Sequence, residues 1–213
     1  SLKPEWKLCD DGRRQSPIDL RDGVAVDLEP VAFDYRPVRF RIVDTGNTLR
    51  VDVAEGQGEV LTMTVRGTRY VLERLTLHRP SEVRVEGKAY DMAVHFHHRA
   101  ADGREAVLAV HFERGDTPSE PLQTLWNNLP LEKGEPYVPQ TQLDPGAFLP
   151  AARGHYLYMG SASTPPCTEG VLWVVMKEPV PVSAEQAAIL GRLYPSNARP
   201  VQATHDRLIL QSR

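Results

Sequence analysis

The sequence predicts a mostly β fold, one strand-rich domain over residues 1–213 with a few peripheral helices. Three observations carry this. Alternating apolar and polar runs, the period-two signature of a half-buried strand, recur through most of the chain. Convincing helical periodicity is confined to two segments. The 18 prolines fall mostly between the periodic segments, where they disrupt neither a ladder nor a helix interior.

Taken in order, "VRFRIVDTGNTLRVDV" (38–53) reads as two strands around the turn-like Thr45-Gly46-Asn47. "GEVLTMTVRGTRYVLERLTLH" (58–78) continues as strand. At its end Leu75 and Leu77 share one face while Thr76 and His78 share the other, because strand side chains alternate. "YDMAVHFHHR" (90–99), "EAVLAVHFER" (105–114) and "GVLWVVMKEPVPV" (170–182) are further strands, several short of charge on at least one face. The helices are "PSEPLQTLWNNL" (118–129) and "SAEQAAILGRLY" (183–194), where Ser183 as N-cap and Gln186 three residues on form a capping box.

Composition narrows the function classes. With 41% hydrophobic and 25% charged residues, the chain can bury a substantial core. Its 28 acidic and 25 basic residues are interspersed and leave a net charge of −3, which argues against a nucleic-acid partner. No apolar run approaches the roughly 18 residues needed to span a bilayer, and the first residues carry no signal-peptide pattern. Cys9 and Cys167 fit neither a zinc ribbon nor a CxxC motif. They are either two buried thiols or one bridge closing a very long loop, worth roughly 5 kcal/mol in chain entropy. A bridge implies an oxidising compartment.

Five of the seven histidines fall between His78 and His111, which invites a metal hypothesis beside the plainer reading of hydrogen-bonded core imidazoles. His95 and His97 share a strand face, and His98 points to the other as a surface or sheet-packing residue. His111, along the face of Val107, reads as a satisfied core histidine. His155 and His205 have no inferred partner.

Four stretches together resemble the α-class carbonic anhydrases: "CDDGRRQSPIDL" (Cys9–Leu20), "LHRPSE" (Leu77–Glu82), "GSASTPPCTEGVLW" (Gly160–Trp173) and "LYPSNARPVQ" (Leu193–Gln202). Their order and separation fit along nearly the whole chain. The resemblance implies a large twisted central sheet with a conical cavity, a Cys9–Cys167 disulfide and a periplasmic or secreted location. In that family three histidines hold a zinc ion whose bound hydroxide attacks carbon dioxide in an apolar pocket. A threonine, oriented by a buried glutamate, directs the hydroxide, and a histidine near the cavity mouth carries the proton out.

Carried over residue by residue, His78 and His95 match the second and third zinc ligands, and the first falls on Thr76, a poor zinc donor. The ligands' orienting glutamine and glutamate fall on Arg74 and Ala93; such partners are worth about 10–100-fold in affinity or activity. The partner implied for His78 is a backbone carbonyl near Asn197. In the pocket a valine falls on His97 and leucines on Glu105 and Ala162, while Val107 and Trp173 are as the family has them. The proton carrier falls on Asn47, which does not titrate near neutral pH. Glu82 remains, and Ser163 keeps the catalytic threonine's hydroxyl. Together they read as a buried hydrogen-bonded pair preserved for folding.

The expectation is a carbonic anhydrase-related protein with a degenerate zinc site and without efficient carbon dioxide hydration, acting as a binding module through its cavity or surface. Arg50 and Arg74 are either solvated rim arginines or a basic cavity for a carboxylate, sulfate or phosphate, so the partner is a small anion or another protein. The alternative is a metal-dependent lyase or hydrolase with a remodelled site of His78, His95 and His97, holding zinc or copper weakly and keeping residual hydration or esterase activity. A scaffold with a relic cavity is the third reading.

Overall fold

The computed structural model describes residues 3–53 and 60–213. Gly58 and Glu59 of the stretch read as strand lie outside the described residues. Among the described residues the chain builds one twelve-strand mixed sheet, and a two-strand ladder pairs Asp19–Leu20 with Arg84–Val85. The mostly β expectation holds.

Three long antiparallel strands form the centre: Thr68–His78, Met92–Ala100 and Glu105–Gly115. Their registers align rows of side chains across the sheet. One row sets Thr76 opposite His95 and His95 opposite Ala109; the next sets Arg74 opposite His97 and His97 opposite Val107. Leu49–Val53 extends the first row by placing Arg50 opposite Thr76. On the other side, Glu169–Met176 runs parallel to Glu105–Gly115 and brings Trp173 beside Val107. A register shift between Leu72 and Arg74 leaves Glu73 without a direct partner on the 92–100 strand, the local signature of a bulge.

Alternation then divides the two faces. Leu75, Leu77, Val94, Phe96, Leu108 and Val110 belong to the main apolar core. Val107, Ala109, Trp173 and Val175 join Ile18, Leu20 and Tyr158 in a smaller cluster on the opposite face, and the histidine rows open beside that cluster.

Several elements differ from the sequence reading. The described part of the 58–78 stretch contains a hairpin, Thr62–Val65 and Thr68–His78, turning at Arg66-Gly67 with both residues at positive φ, the two-residue geometry that matches strand twist. "GVLWVVMKEPVPV" is two strands, Glu169–Met176 and Val180–Ser183, and both pair with Glu105–Gly115. His155–Ser161, absent from the sequence reading, lies between Glu169–Met176 and Leu210–Ser212.

The helices Glu120–Trp126 and Ala184–Leu193 form where expected, and Ser183 with Gln186 makes the capping box. Buried Gln186 also ties the two helices together. Its Oε1 accepts from Ser119 N at 2.8 Å, its Nε2 donates to Ser119 O at 2.9 Å, and its carbonyl accepts from Trp126 Nε1 at 3.0 Å. Cys9 and Cys167 are joined in a disulfide across 158 residues, with Cα atoms 5.2 Å apart, which decides between the two readings of the cysteine pair. Among the described residues no helix is long and apolar enough to cross a membrane.

Candidate functional site

A cavity of about 350 Å³ opens above the histidine rows, lined by Thr76, His78, His97, Val107, Ser163 and Trp173 among others. Its apolar wall is set by the parallel pairing of Val107 with Trp173, and Trp173 is anchored by Nε1 donating to Ser161 O at 2.9 Å.

The floor is polar. Thr76 Oγ1 lies 2.8 Å from Nε2 of His78 and 2.8 Å from Nε2 of His97. A threonine has one hydroxyl proton, so it donates to at most one ring, and its oxygen is an acceptor for either. His78 Nδ1 is 2.7 Å from Glu82 Oε1, a close polar contact. Ser163 Oγ donates to the same Glu82 oxygen at 3.3 Å.

His95 is held by packing alone. Its ring stacks on His78 with centroids 4.0 Å apart and meets Trp173 edge-on at 5.2 Å. Neither of its nitrogens has a hydrogen-bond partner among the described residues. Burial, then the neighbouring His78 and His97, hold its pKa well below the usual histidine value. For His97 burial acts first and Arg74 second, again downward. Both rings are neutral at pH 7, able to donate, accept or ligate.

The fold therefore brings His78, His95 and Glu82 into one cluster, with a ligand atom of each within 4.8 Å of the others. His97 stands to one side, its ring centroid 6.3 Å from that of His95. Sequence reasoning paired Glu82 with Ser163 and missed its convergence with the histidines. The signal was the turn in "LHRPSE", which places Glu82 four residues after His78.

Arg74, Glu105 and Ala162 line the cavity as expected. Arg74 and Glu105 belong to a rim of ion pairs. Glu105 accepts from Arg99 Nη2 at 2.7 Å, and Glu73 lies 3.4 Å from Arg99 and 4.0 Å from Arg74. The lining set does not include Arg50, which pairs with Asp52 at 3.0 Å. Asn47 is exposed in the Thr45–Thr48 turn, its carbonyl accepting from Asn197 Nδ2 at 2.8 Å; the neighbouring Thr48 is the residue that reaches the cavity.

His78 Nδ1 faces Glu82 Oε1 at 2.7 Å, in place of the backbone carbonyl near Asn197 that the resemblance implies. Of the two readings of His98, sheet packing holds: it is buried, Nδ1 bonds Phe96 O at 2.9 Å, Nε2 meets the Tyr35 hydroxyl, and burial lowers its pKa to about 4. His111 is a buried core histidine that stacks on Tyr90 at 4.6 Å; burial, partly offset by a backbone hydrogen bond at Val83, lowers its pKa to about 4.

The sequence matches the eukaryotic-type carbonic anhydrase family over residues 2–213. It is 34% identical to a carbonic anhydrase of Nostoc sp. over 217 residues, which span 99% of this chain and 80% of that one. Among solved structures it is similar to the α-carbonic anhydrase from Thermovibrio ammonificans in complex with the inhibitor sulfanilamide. That match has a TM-score of 0.92 at 37% identity and covers 98% of this chain and 92% of the other. It is also similar to dioscorin complexed with ascorbate, with a TM-score of 0.88 at 30% identity, covering 99% and 90% of the two chains.

Proposed function

The chain belongs to the eukaryotic-type carbonic anhydrase family, and within it we propose that this member is a periplasmic or secreted binding protein whose cavity takes a small polar ligand without efficient carbon dioxide hydration. The observation that carries the reading is Thr76, whose hydroxyl lies 2.8 Å from both His78 Nε2 and His97 Nε2. The family's zinc needs three imidazoles, and these residues do not fit it. Of the three positions only His78 and His95 supply a ring, and the third supplies a hydroxyl already spent on His78. Buried Ala93, opposite His78, offers no carboxylate to orient a ligand.

The pocket supports the same reading. Carbon dioxide is apolar and is held by hydrocarbon, whereas this cavity sets a neutral imidazole and the Ser163 hydroxyl against one apolar wall. Neutral imidazoles and hydroxyls suit a small hydroxylated acid, with the Arg74 guanidinium at the rim for its charge. Dioscorin, a structural neighbour, is complexed with ascorbate, a ligand of that chemistry. The disulfide supports the location, since such bridges persist in oxidising compartments.

The test joins two measurements on one preparation. Stopped-flow hydration with zinc added is expected to stay near background, and calorimetry with ascorbate and simple hydroxy acids is expected to show saturable binding that Arg74→Ala weakens. A family-typical hydration rate abolished by a sulfonamide overturns the reading.

A further inference from the structure

Thr76, His78 and Glu82 stand in one line of contacts. Thr76 Oγ1 lies 2.8 Å from His78 Nε2, and at the other edge of the ring Nδ1 faces Glu82 Oε1 at 2.7 Å. Thr76 and His78 line the cavity, whereas Glu82, 3% exposed, is not part of its lining. A hydroxyl open to a cavity, an imidazole in contact with it, and a buried carboxylate at the imidazole's other nitrogen have a recognisable order. They are the parts of a nucleophile, its general base and the group that orients the base. Holding a small ligand does not call for that order.

The tautomers that this assignment requires are mutually consistent. With its Nδ1 proton turned to the carboxylate, the His78 imidazole presents a bare Nε2, which accepts the Thr76 hydroxyl proton. The Nδ1 contact is short of a full hydrogen bond, and catalytic hydrogen bonds commonly tighten only around substrate. His97 Nε2, 2.8 Å from the same threonine oxygen, is then the donor to it. That N–H lies within reach of the negative charge that builds on an acyl oxygen during attack. Val107, Ala162 and Trp173 give the cavity a wall for a short hydrocarbon chain.

We propose that Thr76 is the nucleophile of an acyl transfer to water through a covalent acyl-threonine, with His78 as general base, Glu82 as the residue that positions it, and a short-chain carboxylic ester as substrate. In the first half Thr76 Oγ1 gives its proton to His78 Nε2 and forms a bond to the ester carbonyl carbon. The bond from that carbon to the alcohol oxygen breaks, and His78 returns the proton to the departing alcohol. In the second half water attacks the acyl-threonine and gives a proton to His78. The carboxylic acid leaves, and the proton goes back to Thr76 Oγ1. Every proton has a side chain to carry it, and water is the one co-reactant. The proposal goes beyond the ligand-binding reading and does not depend on it, since the ester needs no anionic group for Arg74.

The experiment uses the full chain, stripped with chelator and assayed with chelator present, and p-nitrophenyl acetate as the probe. Turnover above the buffer rate is expected, and acid-quenched samples should carry one acetyl group, which peptide mapping places on Thr76. Thr76→Val, which keeps the side-chain shape and removes the hydroxyl, and His78→Gln should each lower kcat about a hundredfold or to background and abolish the adduct. Thr76→Ser should keep both turnover and adduct. Glu82→Gln should lower kcat about tenfold or more with KM within about twofold, the split expected of a group that orients the base and does not touch substrate. Circular dichroism establishes that each variant is folded. If His78→Gln or Glu82→Gln does not fold, the adduct map of the parent and the two Thr76 variants decides. No turnover by the stripped parent, turnover only after zinc is added, acetylation elsewhere than Thr76, a parent-like rate in Thr76→Val, or a parent-like kcat in Glu82→Gln overturns the proposal.

Discussion

Thr76 has one proton for two imidazoles, so the tautomers of His78 and His97 are linked through its hydroxyl. Replacing that hydroxyl by a ring frees His78 Nε2 and adds a nitrogen donor. Thr76→His is therefore expected to raise zinc affinity at least tenfold by calorimetry. Hydration should return measurably only when Arg74→Gln and Ala93→Glu are added, because orienting partners are worth about 10–100-fold of affinity or activity. Stopped-flow assays of the single and triple variants check that order; full rate in the single variant contradicts it. His98 and His111 make a second residue-scale case. Burial sets both pKa values at about 4, so between pH 6.5 and 4 the unfolded chain binds protons that the folded chain refuses. Their contribution is intact above pH 6.5 and is lost as the pH falls toward 4, each shift being worth about 3 kcal/mol. Urea midpoints should drop steadily over that window. His111→Leu, which removes one of the two buried rings, should flatten the slope; an unchanged slope would show that His111 does not contribute to it.

At the scale of elements, the capping box of Ser183 and Gln186 was legible because its residues are local and its spacing is set by helix geometry. The reach of Gln186 to Ser119, 67 residues away, was not. Gln186→Ala should cost about 1–2 kcal/mol, since it removes the cap partner and the bonds to the half-buried Ser119 N–H and carbonyl. Chemical denaturation reads this as a lower midpoint at unchanged slope. Glu185→Ala, an exposed neighbour, should stay within about 0.5 kcal/mol. Strand pattern showed that Thr76 and His78 share a face, but not that Glu73 slips out of register just before them. A bulge is set by what the partner strand requires.

For the whole molecule, the 158-residue span closed by Cys9 and Cys167 is the one covalent cross-link among the described residues. Removing it with Cys9→Ser and Cys167→Ser together should cost roughly 5 kcal/mol in the chain-entropy picture, a large share of the 5–15 kcal/mol typical of a domain. Thiol titration of denatured, unreduced protein matured outside the cytoplasm should find almost no free thiol. Two reactive thiols there would remove the support for a periplasmic or secreted location.

Face, turn and cap are short-range properties, and the sequence alone carried them: the β class, both helices, and the shared faces of Thr76 with His78 and of His95 with His97. The four family stretches added the cavity, the cysteine pairing and the expectation of a histidine at the position of Thr76. Tertiary structure alone decided which groups meet. Strand period tells which side a residue faces but not its register. The rows joining Thr76 to His95 and His97 to Val107 exist only once three strands are aligned, and Trp173 reaches them through a parallel pairing that no local pattern specifies. Which ring edge His78 presents, and that Glu82 rather than His97 approaches it, depends on a turn folding back beneath the sheet. Side-chain convergence of that kind is a property of packing, not of sequence spacing.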